Sequence, residues 1–494
     1  MTHRLPLAVL LAASTALAAC NLAPTYVRPV GAVPASLPQG GVYPAAATDA
    51  RDITAIGWRD FFTDPSLRQV IQRGLDNNQD LALAAANVLQ ARAQYRVQRA
   101  DLVPTTAASG SGTYTNNAFG AAGATSGGAT GTGSGTGTGT GAVGGTVGTG
   151  SSNLEFYSAN VGFSAFELDL FGRVRNQSKA ALEQYFATEE AQRTARISLI
   201  AEIASAWLTI ASDEDQLALS QRTLDAFAET LKLTTAQFRI GVASELESRQ
   251  AETNYQAARN DIAVLKTRIA TDRNALDLLV GKPVESALLP RALGDARPAI
   301  DVLPADLSSA VLLRRPDVLR AEHLLIAQNA NIGAARAAFF PTISLTATLG
   351  TISTALSGLF GAGTATYTGS PSIGLPLFDG GRNKGNLNYA RASQQAAVAT
   401  YQKTVQTAFR EVADALAQRG TIDEQIAAQD ARVNASRVAA KLSDARYRAG
   451  VDSFLTALDA QRTAYAAQQQ LVTTRFNRGA NLVELYRSLG GGLN

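Results

Sequence analysis

Phe238-Arg239-Ile240-Gly241-Val242 and Tyr447-Arg448-Ala449-Gly450-Val451 are one short phrase written twice, 209 residues apart (450 − 241). The same offset carries Leu170-Phe171-Gly172-Arg173 onto Phe378-Asp379-Gly380-Gly381-Arg382 (382 − 173), and Ala201-Glu202-Ile203-Ala204 onto Arg410-Glu411-Val412-Ala413. Three landmarks that keep one register over about 70 residues mark an internal repeat.

Upstream the offset becomes 237. Leu102-Val103-Pro104-Thr105 matches Phe339-Phe340-Pro341-Thr342 (341 − 104), and Asp80-Leu81 matches Asp317-Val318. The 28 residues of difference (237 − 209) fall between Pro104 and Arg173, where a Gly/Thr/Ser tract runs from Ser109 to Ser152. The chain is therefore a duplicated supersecondary unit with an insertion in its first copy.

The long arms of the repeat are helical. From Val174 to Ile240 there is neither Gly nor Pro, and a continuous helix of that length would be on the order of 100 Å. The stretches Val242 to Val280 and Val451 to Arg478 lack both residues as well, and only Gly420 lies between Asn386 and Ala449, where a bend or belt is expected. Gly241 and Gly450 suit the left-handed position that ends a helix, and Ser244-Glu245-Leu246-Glu247 is a capping box that starts the next. Apolar spacing at Ile262, Leu265, Ile269, Leu276 and Leu279, and at Val451, Leu458, Tyr465 and Val472, predicts antiparallel coiled-coil arms.

Between the arms lie strands. In the first copy Tyr114 lies in one predicted strand, and Phe156, Val161, Phe163 and Phe166 in its partner beyond the insert. In the second, Ile343, Leu345 and Leu349 lead out, and Tyr367, Ile373, Leu375 and Leu377 lead back. Each copy holds one hairpin of strands about ten residues long, the length that crosses a bilayer when tilted. The insert carries 16 glycines from Gly110 to Gly150 and no charge between Asp101 and Glu155, so it buries too little apolar surface to order itself and reads as a surface loop.

The N-terminus reads as an export signal. His3 and Arg4 precede an apolar run from Leu5 to Ala19 that ends in Leu17-Ala18-Ala19-Cys20. This ending resembles the bacterial lipoprotein box, which implies a covalent lipid on Cys20; Asn21 after it favours the outer membrane. The expected organisation is a signal peptide over 1–19 and a lipid-anchored, extended segment over 20–57. A first repeat follows over 58–300, with a β-hairpin at about 104–170, a Gly-rich loop at 109–153, a helical hairpin at 174–280 and a linker at 281–300. The second repeat spans 301–494, with a β-hairpin at about 341–378 and a helical hairpin at 382–488.

Composition removes whole classes of chemistry. One Cys, two His, a net charge of +3 and 17% charged residues leave no disulfide, no Cys-based zinc site and no basic footprint for nucleic acid. An enzyme has no constellation to stand on, and neither a cofactor nor a metal is expected. Past the leader, Ile197 to Ile210 comes nearest to a membrane helix, but Glu202 interrupts it, so any crossing is expected to be by β-strands. Four strands from one chain make no barrel of useful width, and open strand edges in lipid are prohibitive; several copies must contribute, and three would supply 12 strands.

Leu312-Leu313-Arg314-Arg315-Pro316-Asp317-Val318, Ile332-Gly333-Ala334-Ala335-Arg336-Ala337-Ala338-Phe339-Phe340-Pro341, Phe166-Glu167-Leu168-Asp169-Leu170-Phe171-Gly172-Arg173, Leu377-Phe378-Asp379-Gly380-Gly381-Arg382 and Tyr447-Arg448-Ala449-Gly450-Val451-Asp452 resemble signatures of the outer-membrane efflux factor family. The resemblance runs from Cys20 to the C-terminus and is closest to the OprM-like, NodT-type lipoproteins related to TolC. It implies a mainly α fold with β, a trimeric channel-tunnel with a 12-stranded barrel above a periplasmic helical barrel. It also implies a passive multidrug exit duct, fed through a periplasmic adaptor by an inner-membrane pump of the resistance-nodulation-division type.

The resemblance places adaptor contact at Arg239, Gly241, Arg448 and Gly450. It also implies that the second hairpin coils inward to narrow the periplasmic entrance, with Arg446, Tyr447 and Arg448 as tethers. Asp444 and Asp452 have Thr235 and Ala243 at their first-copy positions, so the acids are confined to this hairpin. Under three-fold symmetry each becomes a ring of three carboxylates that attracts cations. A type I secretion duct for polypeptides shares this architecture and is the main alternative; a coiled-coil scaffold or adhesin would leave the strand pairs unexplained.

Overall fold

A computed structural model of the chain describes residues 21–44, 56–115, 154–294 and 308–492. The predicted signal peptide, Cys20 and most of the Gly-rich insert lie outside the described residues. Helices α1 (Trp58–Phe61), α2 (Pro65–Asn77) and α3 (Gln79–Ala100) lead to strands β1 (Ala107–Thr115) and β2 (Leu154–Glu167). Helices α4 (Arg173–Arg239) and α5 (Glu245–Val280) form the first helical hairpin. The second copy runs α6 (Pro316–Ala337), β3 (Thr342–Ser353), β4 (Ala365–Gly374), α7 (Arg382–Arg448) and α8 (Phe454–Ser488).

The repeat is one of structure. Helices α4 and α7 are each 67 residues long, and both their ends differ by 209 (382 − 173 and 448 − 239). Helices α3 and α6 are each 22 residues, offset by 237 at both ends. Equivalent positions even do equivalent work: Asn78 Nδ2 donates to the carbonyl of Leu279 at 2.8 Å, and Arg315 Nη1 donates to that of Ser488 at 2.5 Å. These partners are related by 237 and 209. Arg315 is buried and is neutralised by Asp317 and Glu411, at 2.7 and 2.8 Å.

The chain divides into two compact units. One contains the four-stranded antiparallel sheet, in the order β1-β2-β3-β4. Pairing of β2 with β3, as in Val161 opposite Leu349, joins the two hairpins. Tyr114 lies in a strand as expected, and its neighbours from Ser109 to Thr115, expected in the Gly-rich loop, belong with it to β1, in register with β2 from Ala107↔Gly162 to Thr115↔Leu154. A backbone ladder asks little of side-chain size, and the pairing is reinforced across the strands by Ser111 with Ser158 (2.9 Å) and by Tyr114 with Tyr157 (2.7 Å between hydroxyls). Between Phe163 and Phe166 the register shifts in a bulge that the alternation pattern did not announce; Ala165 sits there at φ 52° and donates its N–H to Thr346 Oγ1.

The other unit holds the helical core. Asp64 caps α2 by accepting from the N–H groups of Ser66 and Leu67, with Pro65 at the first helical position. This sets Leu67, Val70 and Ile71 against Ile200, Ile203 and Leu208 of α4, Leu276 and Val280 of α5, and Leu482 and Val483 of α8. Each such side chain contributes about 1.5–3 kcal/mol when fully buried. Helix α4 is in fact long and apolar enough to cross a membrane despite Glu202. Its apolar side chains are spent on this core instead, and Trp207 donates Nε1–H to the carbonyl of Leu288.

The N-terminal segment, described over 21–44, forms no helix and is strapped down. In the sheet unit Asn329 and Arg336 hold the carbonyls of Pro24 and Leu22, at 2.6 and 3.0 Å. In the helical unit Arg28 makes a bidentate pair with Glu322, both bonds 2.8 Å, and the N–H of Ser309 donates to Ala35. Helix α7 continues unbroken through Gly420. The glycine is there for close approach: a Cβ would stand 1.9 Å from the carbonyl oxygen of Val42.

Candidate functional site

The two hairpin turns are built alike. Helices α4 and α7 each end in a Gly at positive φ, Gly241 at 78° and Gly450 at 72°. The N–H of Val242 reaches back to Gln237, and that of Val451 to Arg446, each at 2.9 Å. Ser244 then caps α5 through a complete capping box with Glu247, and Ser453 caps α8 by accepting from the N–H of Thr456. Because α8 begins at Phe454, Val451 lies in the turn and not in the predicted heptad; it is exposed.

The second turn is packed against the first. Phe454 and Leu458 are buried with Ala251 of α5, and Leu231 of α4 and Tyr447 close over them. The Tyr447 ring lies 5.4 Å from that of Phe454, and its hydroxyl donates to Gln237 Oε1 at 2.8 Å. Burial, helped by the negative charges of Glu247 and Asp444, pushes the Tyr447 phenol up, so it remains a donor. Farther along the arms Tyr465 donates to Asp261 Oδ2 at 3.0 Å and meets Ser220 Oγ at 2.8 Å, which links α8 to both helices of the first hairpin. Burial pushes this phenol to about 12.

The charged residues named from sequence are all at the turns, but Asp444, Arg446, Arg448 and Asp452 pair within their own hairpin. Arg446 grips Asp452 with two bonds of 2.6 and 2.8 Å, and this holds the Asp452 carboxyl below its usual range. Arg448 meets Asp444 at 2.8 Å, one helical turn away. Tyr447 alone of the proposed tethers reaches the other hairpin. Arg239, Gly241 and Gly450 stand exposed at the ends.

Sequence reasoning passed over the apolar surface of the turns. Ile240, Val242, Leu246, Val451 and Leu455 are 61–75% exposed. Apolar residues placed in capping loops, where nothing of the same chain covers them, were the available signal. Among the described residues no group of three or more His, Cys, Asp or Glu is placed to hold a metal.

The model of the outer membrane efflux protein family matches residues 70–282 and 307–491, one segment for each copy of the repeat. The chain belongs to this family. Among curated relatives of this efflux protein, the probable efflux pump outer membrane protein TtgC of Pseudomonas putida is 42% identical over 479 residues, 96% of this chain and 93% of the relative. The outer membrane protein OprJ of Pseudomonas aeruginosa is 39% identical over 96% of this chain and 94% of its own length. Among solved structures, CusC superposes with a TM-score of 0.81 at 36% identity, covering 96% of this chain and all of that one. The open state of the Neisseria gonorrhoeae MtrE outer membrane channel also gives 0.81, at 35% identity and 96% and 99% coverage. The fold is TolC-like, and the protein is the outer-membrane channel component of an efflux system.

Proposed function

We propose that three copies of this chain close one 12-stranded barrel in the outer membrane and continue as a helical tube into the periplasm. The observation that carries this reading is the sheet order β1-β2-β3-β4, whose two outer strands have no partner on their far sides among the described residues. Outward side chains such as Val161, Leu349, Tyr367 and Ile373 are 57–86% exposed, as a lipid-facing surface requires. Closing β4 of one protomer on β1 of the next satisfies every backbone group that lipid cannot.

In this reading Cys20 bears a covalent lipid that fixes the start of the strapped N-terminal segment at the membrane. The duct is passive: a periplasmic adaptor docks its helical hairpins on the exposed apolar turns around Ile240, Val242 and Val451, with Arg239, Gly241, Arg448 and Gly450 in the contact. An inner-membrane pump of the resistance-nodulation-division type supplies substrate and energy. Asp444, Arg446, Tyr447 and Asp452 form the periplasmic constriction.

Gel mobility of unboiled against boiled protein, together with conductance in planar bilayers, tests the assembly. A heat-labile band near three times the monomer mass and discrete conductance steps are expected. A monomer band with no conductance would sink the reading.

A further inference from the structure

Strands β1 and β4 each leave one edge open among the described residues, and the repeat contains a pattern for how such edges meet. Strand β3 follows β1 by 237 residues. The bulge gives β2 one residue more than β4, so β4 follows β2 by 210 above the bulge and by 209 below it. These offsets hold inside the chain. Ala107↔Gly162 carries onto Ser344↔Ser372 (107 + 237, 162 + 210), and Ser111↔Ser158 onto Thr348↔Thr368; both images are pairs of the β3-β4 ladder. Even the contact between hydroxyls recurs, Ser111 with Ser158 and Thr348 with Thr368.

The β2-β3 junction, carried on by the same offsets, becomes a junction of β4 with β1 of another copy. Gly162↔Thr348 gives Ser372↔Ser111 (162 + 210, 348 − 237), and beyond the bulge Phe166↔Leu345 gives Leu375↔Ala108 (166 + 209, 345 − 237). These two pairs lie in one unbroken antiparallel register. It also matches the faces: Ile373 and Leu375 fall opposite Gly110 and Ala108, large against small, while Ser370 and Ser372 fall opposite Thr113 and Ser111. A slip of one residue would set the hydroxyls of one strand beside the apolar face of the other.

We infer that a second copy of this chain docks on β4 in this register, with Ser372 opposite its Ser111; the inference rests on the reading that β4 of one protomer closes on β1 of the next. The Ser344–Ser372 and Ser111–Ser158 contacts, 2.7 and 2.9 Å, then join into a row of four hydroxyls across the seam. Because the N–H of Ile352 donates to Thr364, even-numbered residues of β4 turn their backbone groups to β3 and odd-numbered ones to the open edge. Pro371 stands on that edge, where it offers no N–H to a stray strand, and its carbonyl accepts from Gly112 of the second copy. Past the strands the same register supplies cover. Phe171 stacks on Phe340, ring centres 4.7 Å apart, in continuation of Glu167↔Ser344. At the open edge Leu377 and Phe378 are 91 and 93% exposed, and Val103 is 61% exposed. Docking brings Phe378 opposite Thr105, beside Val103, and buries this apolar surface.

Within one chain Ser111 and Ser372 are at least three strand spacings apart, about 14 Å, so a disulfide between these positions links two chains. Outer membranes holding Ser111→Cys/Ser372→Cys are oxidised with copper phenanthroline, boiled without reductant and run on a gel. Covalent trimer is expected, since every chain carries both halves of the seam. Ser111→Cys combined with Ser370→Cys or with Gly374→Cys, each slipped by two residues, should link at least fivefold less. The single variants, which retain Cys20, set the background. If Ser111→Cys/Ser372→Cys does not assemble, Ser109→Cys/Gly374→Cys reports the same register. Equal linking in a slipped pair overturns the register, and so does background linking in an in-register pair whose unboiled band runs as a trimer. An unboiled monomer band in the parent protein refutes the barrel closure itself, and the register falls with it.

Discussion

The Tyr447 hydroxyl donates to Gln237 Oε1 across 2.8 Å, so the last turn of α7 is fastened to the last turns of α4 by one hydrogen bond. Among the described residues no charged pair spans the two hairpins at this level; the ion pairs of Asp444 and Asp452 close on their own hairpin. Tyr447→Phe removes the bond and keeps the ring against Phe454. A loss of about 1 kcal/mol shifts a fastened-to-released balance roughly fivefold. We expect a larger mean conductance in planar bilayers with unchanged thermal stability. Identical conductance in the variant would mean that the bond restrains nothing.

The two acids at the second turn are predicted to behave differently from a bare carboxylate ring. Asp444→Ala removes one of the three-fold sets and should raise single-channel conductance and weaken cation preference; unchanged values remove Asp444 from the constriction. Arg446→Ala, by contrast, releases Asp452 and should strengthen cation preference. The pH dependence follows from sign. Arg446 lowers the Asp452 pKa, so the stabilisation is present above the unfolded value of about 3.9 and is lost only as pH falls through the lower folded value. Conductance should stay level between pH 8 and pH 5 as far as this pair decides it. A step inside that range, abolished by Asp452→Asn, would contradict the assignment.

The duplicated arms were legible because their physics is local. Helix continuity, Gly241 and Gly450 as stops, and Ser244 as a cap all depend on residues within a few positions of each other, and α4 and α7 appear at the predicted offset. What depends on distant partners was not legible. The bulge at Ala165 arises where β2 meets β3, the extension of β1 through Ser109 arises from its pairing with β2, and Arg446 chose Asp452 across a turn whose shape only coordinates reveal. Gly420 reads from sequence as the place of a bend or belt, and a glycine in a helix does not announce that Val42 passes over it.

That passage gives a further prediction. Gly420→Ala places a methyl 1.9 Å from the Val42 carbonyl oxygen, and a backbone atom has little room to yield. The strap must lift from α7 near this point while remaining pinned by Arg28 on Glu322 and by Ser309 on Ala35. We expect faster proteolysis around residues 40–44 and little change in the helical content measured by circular dichroism. Equal cleavage rates in the two proteins would show that the contact does not hold the segment.

The buried carboxyl pair on the first hairpin predicts how stability responds to pH. Asp213 on α4 is 1% exposed, and Arg268 of α5 meets its Oδ1 at 3.0 Å. Its Oδ2 is buried without a donor, as is Oδ2 of Asp272, which faces it from α5; Glu214 adds a further negative charge. Burial first, and then the neighbouring Asp272 and Glu214 carboxylates, push Asp213 to about 6 against the opposing charge of Arg268. The folded state therefore binds more protons than the unfolded chain between about pH 4 and pH 6. Stability is fullest below that window and declines as pH rises through it. Asp272→Asn supplies a permanent N–H donor to Asp213 Oδ2 and removes the repulsion. Thermal melts should show the variant roughly a degree or two more stable than the parent at pH 7.5, and a flatter dependence between pH 4 and pH 6. Parallel curves for the two proteins across that interval would show that Asp272 does not raise the Asp213 carboxyl.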